Sequence, residues 1–187
     1  MNCKIVYQLS AVFLLCLGSG CSGKPDNTGW QNYSRDRIES IINQPVKMPD
    51  SIPVCYPDSD AYYRLMDSET KVIFCVDISC AVCLSKFNYW NEFSKRIEEE
   101  HGLNVPILAV IFSPEFNDDI KEYINRQWSH EWIYDPEQDF TFYNNIEDDR
   151  FQAVLLDAND TIRLVGNPVM NEALGKLYEK TVIERLR

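Results

Sequence analysis

The sequence lacks the compositional biases of disordered, collagen-like or low-complexity chains, and it contains no internal repeat. Hydrophobic residues make up 45% of its 187 residues, charged residues 25% and aromatic residues 12%. This balance is typical of an ordinary globular protein, and the chain is long enough to bury a core. The length predicts one domain with a short appendage.

Positive charge is also scarce. The chain has 18 lysines and arginines against 29 aspartates and glutamates, and its formal net charge is −11. Such a surface repels nucleic acids and anionic lipids, so we predict no nucleic-acid partner. The only histidines are His101 and His130. Neither lies at metal-ligand spacing from another histidine or cysteine, and we predict no metal and no cofactor.

The first 20 residues have the features of a signal peptide. Lys4 is their only charged residue, residues 5–17 are apolar, and small residues occupy positions 18–20. The apolar run is shorter than the ~20 residues that span a bilayer as a helix. Residues 17–21 resemble the lipobox of bacterial lipoproteins, which implies that Cys21 is acylated and becomes the new N-terminus. Plain secretion with cleavage nearby is the alternative.

Export determines where the mature chain is expected to work. We expect it in the cell envelope, anchored to the inner or outer membrane by lipid on Cys21, with its body facing the periplasm. That compartment is oxidising, so paired cysteines persist there as disulfides or perform thiol chemistry. The polar residues 21–33 are predicted to form a tether between the lipid and the body.

The mature chain is predicted to consist of an extension, residues 34–70, and a main domain, residues 71–187. The extension is expected to begin with a short amphipathic helix that starts at Ser34 and ends before Pro45. The proline-rich segment that follows allows at most an edge strand, over residues 52–56.

Strand and helix patterns alternate within the main domain. Apolar runs predict strands over residues 71–78, 105–112 and 131–135, a hairpin over 151–157 and 161–166, and helices over 81–101, 117–127 and 170–186. Strands joined by crossover helices must be parallel, whereas a hairpin adds antiparallel strands. The predicted fold is therefore α/β, with a mixed central sheet and helices on both faces.

The helix over residues 81–101 is predicted to be amphipathic. Its buried stripe is expected to contain Cys83, Phe87, Trp90, Ser94 and Ile97. Charged residues, including Lys86, are expected to lie largely elsewhere on the helix. Gly102 is predicted to end it.

A pair of cysteines lies where the strand over residues 71–78 gives way to this helix. Cys80 and Cys83 are separated by two residues, a spacing that also occurs in half of a zinc site. At a strand-to-helix junction of an exported protein, this spacing indicates a redox dithiol. Unpaired N–H groups and the positive end of the helix dipole favour a thiolate at the first cysteine. We therefore predict Cys80 as the nucleophile and Cys83 as the resolving cysteine.

These features resemble the thioredoxin superfamily, in particular its TlpA-like and redoxin-type members, which are membrane-tethered thiol-disulfide oxidoreductases. The resemblance rests on the strand over residues 71–79, the Cys80-Ala81-Val82-Cys83 motif, the helix with Trp90, the strand over 105–112, the segment 134–146 and the hairpin over 153–166. It implies a thioredoxin-like fold, protein or peptide thiols and disulfides as substrates, and a membrane electron donor or acceptor as redox partner.

Three features depart from the pattern of that family, the first being Ser79 in place of an aromatic residue, followed by an Ala81-Val82 dipeptide that lacks the usual proline or histidine. Its members have a cis-proline at the start of the hairpin strand, beside the dithiol, where it helps to shape the substrate groove. This chain has Phe151 and Gln152 at the matching place, so we predict an ordinary trans peptide bond and an altered groove. The buried acid that thioredoxin carries six residues before its first cysteine is replaced by Phe74.

Other residues near the pair have simpler predicted roles. Cys75 is expected to pack as a small apolar side chain, although a disulfide between Cys55 and Cys75 stays open. Asp77 is expected to cap the end of the strand. A carboxylate close to the dithiol would raise the pKa of the thiols.

Two further hypotheses keep the thioredoxin-like fold but change the function. A redox-inactive binding lipoprotein would use the altered groove at Phe151 and Gln152 for a partner protein or peptide. A copper(I) chaperone would bind the metal through Cys80, Cys83 and His130.

Overall fold

The computed structural model describes residues 28–50 and 54–187, with side chains from residue 33 onward. The predicted signal peptide, the predicted acylation site Cys21 and most of the predicted tether lie outside the described residues. Within the described part, no helix is both long enough and apolar enough to cross a membrane.

A six-stranded mixed sheet forms the centre of the structure, in the order β1-β4-β3-β2-β5-β6. Its strands are β1 (Val54–Tyr56), β2 (Thr70–Asp77), β3 (Ile107–Phe112), β4 (Trp132–Tyr134), β5 (Ala153–Asp157) and β6 (Ile162–Val165). Strands β2, β3 and β4 are parallel, whereas β1, β5 and β6 run antiparallel to the strands they pair with. The mixed sheet and its C-terminal hairpin are therefore confirmed.

Helices cover both faces of this sheet, as predicted. In the described part the α-helices are α1 (Thr28–Ile41), α2 (Ser59–Met66), α3 (Ser85–His101), α4 (Asp118–Gln127), α5 (Asp139–Tyr143) and α6 (Glu172–Leu186). On one face of the sheet, the core contains buried residues of α3, α4 and α6. The core on the opposite face contains buried residues of α1, α2 and α5.

The two cores are separated by the alternation of side chains along β2. Val72, Phe74 and Val76 point toward α3, α4 and α6, whereas Ile73 and Cys75 point toward α1, α2 and α5. Successive side chains of a strand point to opposite faces, so a strand that is apolar at every position must be covered twice. This explains why the continuous apolar runs of the sequence became the central strands.

The predicted extension packs on the main sheet. Its edge strand is confirmed as β1, which pairs with β4, but helix α2 was not predicted. The side chain of Asp58 caps α2 by accepting a hydrogen bond from Ala61 N at 2.7 Å, and Ala61 and Leu65 are buried. An aspartate N-cap followed by apolar residues at helical spacing is the sequence signal for this helix.

Candidate active site

The cysteine pair lies at the carboxyl end of β2, where the chain leaves the sheet. Asp77 ends the strand, and its Oδ1 accepts hydrogen bonds from Ser79 N at 2.9 Å and from Ser79 Oγ at 2.6 Å. The carbonyl oxygen of Asp77 accepts a hydrogen bond from Cys80 N at 3.3 Å. Asp77 therefore has the strand-ending role predicted from the sequence.

The pair precedes α3, which begins at Ser85 and not at residue 81 as predicted. Cys83 N donates to Cys80 O at 3.0 Å, and Ser85 N donates to Val82 O at 3.2 Å. Bonds between residues three apart form a turn tighter than an α-helix, and this turn leaves the Val82 side chain 80% exposed. Cys83 packs against the core below α3, so it is the inner cysteine of the two.

The two thiols have different acidities. A hydrogen bond from the Cys83 thiol lowers the pKa of Cys80, and backbone N–H groups of Cys83 and Val82 lower it further, while the Asp77 carboxylate opposes this slightly. Burial raises the pKa of Cys83 to about 12, and the bond to Cys80 adds to the rise. The site therefore combines one thiol that ionises readily with one that stays protonated.

Lys86 is the residue of this site that the sequence analysis placed wrongly. Its side chain is only 4% exposed, although it was predicted to lie off the buried stripe of the helix. Its ammonium donates to Asp149 Oδ1 at 2.6 Å, to Gln152 Oε1 at 3.0 Å and to Cys75 O at 3.0 Å. These three oxygens compensate for the lost hydration, which is why a lysine can be buried here. Lys86 lies three residues after Cys83, and residues three apart share a face of a helix, so this spacing was the sequence signal for its burial.

Phe151 and Gln152 lie directly before β5, beside β2. The peptide bond between them is trans, as predicted, since the only cis bond in the described part is Tyr56–Pro57. Phe151 is 4% exposed and Gln152 is 7% exposed, and the backbone of Gln152 accepts from Cys75 N at 2.9 Å. Both residues are buried, and a substrate groove at this place stays a prediction.

An open groove lies on the other side of β2, and the sequence did not indicate it. It has a volume of about 560 Å³. Its walls come from the turn after β2, the turn after β3, and α4, and they include Ile78, Ser79, Pro114, Ile120 and Tyr123. Because Ser79 immediately precedes Cys80, the groove ends next to the dithiol.

His130 does not belong to this site, so the copper site proposed from the sequence is wrong. His130 lies just before β4 and packs on Trp128, with 4.8 Å between ring centroids. Trp132 of β4 is in register with Ala109 of β3, and Ala109 with Phe74 of β2. His130 lies two residues before Trp132, so it is level with the beginning of β2. The dithiol lies beyond the other end of that strand, so the separation along the strand direction alone exceeds about 17 Å at ~3.3 Å per residue.

Cys55 and Cys75 cannot form a disulfide. Cys55 is in register with Ile133, Ile133 with Val110, and Val110 with Cys75. Three inter-strand steps of ~4.8 Å separate the two Cα atoms by about 14 Å, whereas a disulfide requires less than about 7 Å. Cys75 is fully buried among apolar side chains, as predicted, and burial raises the pKa of its thiol strongly.

No protein-family model and no curated protein matches the sequence. Among solved structures, a thioredoxin-like protein in its oxidised form is 16% identical, with a TM-score of 0.57, and the match covers 78% of this chain and 98% of that chain. A secreted thiol-disulfide isomerase from Corynebacterium glutamicum is 14% identical, with a TM-score of 0.48 and coverage of 63% and 71%. The thioredoxin domain of a thiol-disulfide oxidoreductase from Bacteroides vulgatus is 12% identical, with a TM-score of 0.45 and coverage of 63% and 81%. With its mixed sheet, its helices on both faces and the agreement with the first of these structures, the chain has the thioredoxin-like fold.

Proposed function

We propose that this protein is a thiol-disulfide oxidoreductase that cycles Cys80 and Cys83 between a dithiol and a disulfide. The observation that carries the proposal is the tight turn at the carboxyl end of β2 that holds both cysteines, in which Cys83 N donates to Cys80 O at 3.0 Å. The turn brings the two cysteines together, and the contact between their thiols lowers the pKa of Cys80, which makes the outer cysteine the better nucleophile. The thioredoxin-like fold is consistent with this activity.

The proposed reaction has two exchange steps. The Cys80 thiolate attacks one sulfur of a substrate disulfide, which forms a mixed disulfide and releases the other sulfur as a thiolate. Cys83 then loses its proton to solvent and attacks the sulfur of Cys80. The bond between Cys80 and the substrate breaks, so the substrate is reduced by two electrons and the dithiol is oxidised to a disulfide. The reverse sequence oxidises a substrate dithiol.

The proposal includes the location and partners predicted from the sequence. Acylated Cys21 anchors the protein to a membrane of the cell envelope, and residues 21–33 hold the body on the periplasmic side. The substrates are protein or peptide thiols and disulfides, and a membrane electron donor or acceptor restores the dithiol or the disulfide. Incorporation of a labelled fatty acid into the wild-type protein and not into Cys21→Ser tests the anchor.

The activity is tested with cysteine variants. Purified protein should catalyse the reduction of insulin disulfides by dithiothreitol, and Cys80→Ser should abolish this activity. Cys83→Ser should accumulate a mixed disulfide on Cys80, visible as a larger species on a non-reducing gel. Cys55→Ser is the matched control, because Cys55 is half-buried on a distant strand and should not affect turnover. Full activity in Cys80→Ser would refute the proposal.

A second candidate is a redox-inactive binding protein, and the groove beside Ser79 favours it. That groove exposes Ile78, Ile120 and Tyr123, side chains that suit an extended apolar peptide. In this case Cys80→Ser would leave the captured partners unchanged, and Tyr123→Ala would release them. An oxidoreductase would instead lose its covalent partners in Cys80→Ser.

A further inference from the structure

A charged side chain is buried directly below the proposed reactive pair. Lys86 lies one helical turn after Cys83, and its backbone N–H donates to the carbonyl of Cys83 at 3.0 Å. Three acceptors hold its ammonium in place: the Asp149 carboxylate, the Gln152 side-chain oxygen and the Cys75 carbonyl oxygen. The ammonium is therefore fixed in position by its three acceptors.

The ion pair of Lys86 is unequal in its burial. A buried ion pair contributes little to stability compared with apolar side chains of similar volume. The partner carboxylate of Asp149 is 51% exposed, so Lys86 and not Asp149 carries the charge into the interior. The ammonium therefore acts on its surroundings with little screening by water, and Cys83, one helical turn earlier, is among the groups whose pKa it lowers.

We propose that Lys86 is a positioning residue for the dithiol, whose buried ammonium stabilises the thiolate of Cys83 when Cys83 resolves the mixed disulfide. This role rests on the proposed function and adds to it the residue that makes the inner thiol reactive. The chemistry is the second exchange step: Cys83 loses its proton to solvent, its sulfur bonds to that of Cys80, and the substrate leaves as a thiolate.

The charged groups around Cys83 come from several elements and act in opposite directions. The ammonium of Lys86 in α3 lowers the pKa of Cys83, whereas Cys80 and the carboxylate of Asp149, in the turn before β5, raise it. Asp77 at the end of β2 faces Cys80. Removal of Lys86 and removal of Asp149 are therefore expected to change the reactivity of Cys83 in opposite directions.

The experiment measures the alkylation rate of Cys83 between pH 8 and 10 in full-length Cys80→Ser protein, with iodoacetamide and residue-specific mass spectrometry. Lys86→Met removes the charge at similar volume, and Asp149→Asn removes the opposing charge. Lys95→Met is the matched control, because Lys95 lies on the same helix but is exposed and faces Glu99. Thermal unfolding and circular dichroism establish that each variant is folded.

The expected rates follow from the thiolate population. A rise of one pKa unit lowers that population about tenfold, while the greater nucleophilicity returns about threefold, so alkylation slows by about threefold. Lys86→Met should therefore slow alkylation of Cys83, by about threefold for each unit by which the pKa of Cys83 rises, and Asp149→Asn should accelerate it. In protein that retains both Cys80 and Cys83, Lys86→Met should also accumulate the mixed disulfide on Cys80.

Three outcomes would overturn this role. They are an unchanged rate in Lys86→Met, a reduced rate in both variants, and an equal effect of Lys95→Met. If Lys86→Met does not fold, the result for Asp149→Asn is used by itself. An alkylation rate of Cys83 that does not rise in Asp149→Asn contradicts the proposal. The alkylation rate is measured without substrate, so it distinguishes failure of this role from failure of the oxidoreductase activity.

Discussion

The backbone N–H of Cys83 donates to the carbonyl oxygen of Cys80 at 3.0 Å, and this bond holds the two cysteines in one tight turn. Within this turn the two cysteines are unequal, because the contact between their thiols lowers the pKa of Cys80 and burial raises the pKa of Cys83. The tight turn before α3 brings the sulfurs together, and the core below α3 determines which of them is the inner one.

The first prediction concerns the order in which the cysteines react. In the reduced protein at pH 7 to 8, iodoacetamide should modify Cys80 well before Cys83, whose pKa is about 12. Cys83→Ala removes the hydrogen-bond donor, so the pKa of Cys80 should rise and its alkylation should slow. Cys83→Ser keeps a donor and should slow it less. Equal rates at Cys80 in the two variants would contradict this assignment of the hydrogen bond.

A second prediction concerns the aromatic core behind the dithiol. Phe74 is fully buried, and its ring centroid lies 5.1 Å from that of Trp128 and 5.8 Å from that of Trp90. Phe74→Ala should lower the free energy of unfolding by about 3–5 kcal/mol, because it removes apolar contacts and leaves a cavity. Phe142→Ala, at a side chain that is 68% exposed, should change it by less than about 0.5 kcal/mol. Urea unfolding measures both, and similar losses would argue against this packing.

The third prediction compares two glycines with positive φ. Gly166 has φ of 135°, and a Cβ there would lie 2.6 Å from Leu174 Cδ2. Gly102 ends α3 with φ of 66°, and a Cβ there would meet no atom within 4 Å. Gly102→Ala should cost about 1 kcal/mol for the left-handed backbone alone. Gly166→Ala should cost more, about 1–3 kcal/mol of backbone strain in addition to the clash. The reverse order in thermal unfolding would be inconsistent with these conformations.

The fourth prediction concerns acid sensitivity. The side chain of Arg150 donates to Asp148, with Nε 2.9 Å from Oδ1, and this lowers the pKa of the Asp148 carboxyl. A lowered folded-state pKa adds stability above the unfolded-state value of about 3.9, and that stability is lost as the pH falls through the folded-state value.

Asp148→Asn should therefore be less stable than the wild type at pH 7, by up to about 1 kcal/mol because the pair is partly exposed. Asparagine keeps an acceptor for the N–H of Arg150, so the comparison isolates the charge. The difference should narrow between pH 5 and pH 2 in urea unfolding experiments. A difference that is the same across this range would show that the charge of Asp148 is not its source.

Much of the fold was predictable because its signals are local. The apolar runs that became β2 and β3 and the hairpin of β5 and β6 could be recognised from residue type and spacing alone. Cys80 and Cys83 could be placed at the strand-to-helix junction for the same reason. The beginning of α3 could not, because the turn at residues 80–84 is held mainly by backbone bonds between residues three apart and α3 has no side-chain cap.

The amino-acid sequence by itself determined the layered α/β architecture and the position of the dithiol, since both follow from the periodicity of neighbouring residues. Only the tertiary structure decided that Lys86 is buried, because its acceptors Asp149 and Gln152 lie 63 and 66 residues further along the chain. It also decided that Cys55 cannot reach Cys75 and that His130 cannot reach the dithiol. Those distances depend on strand order and register, which bring together or separate residues with no relation in sequence.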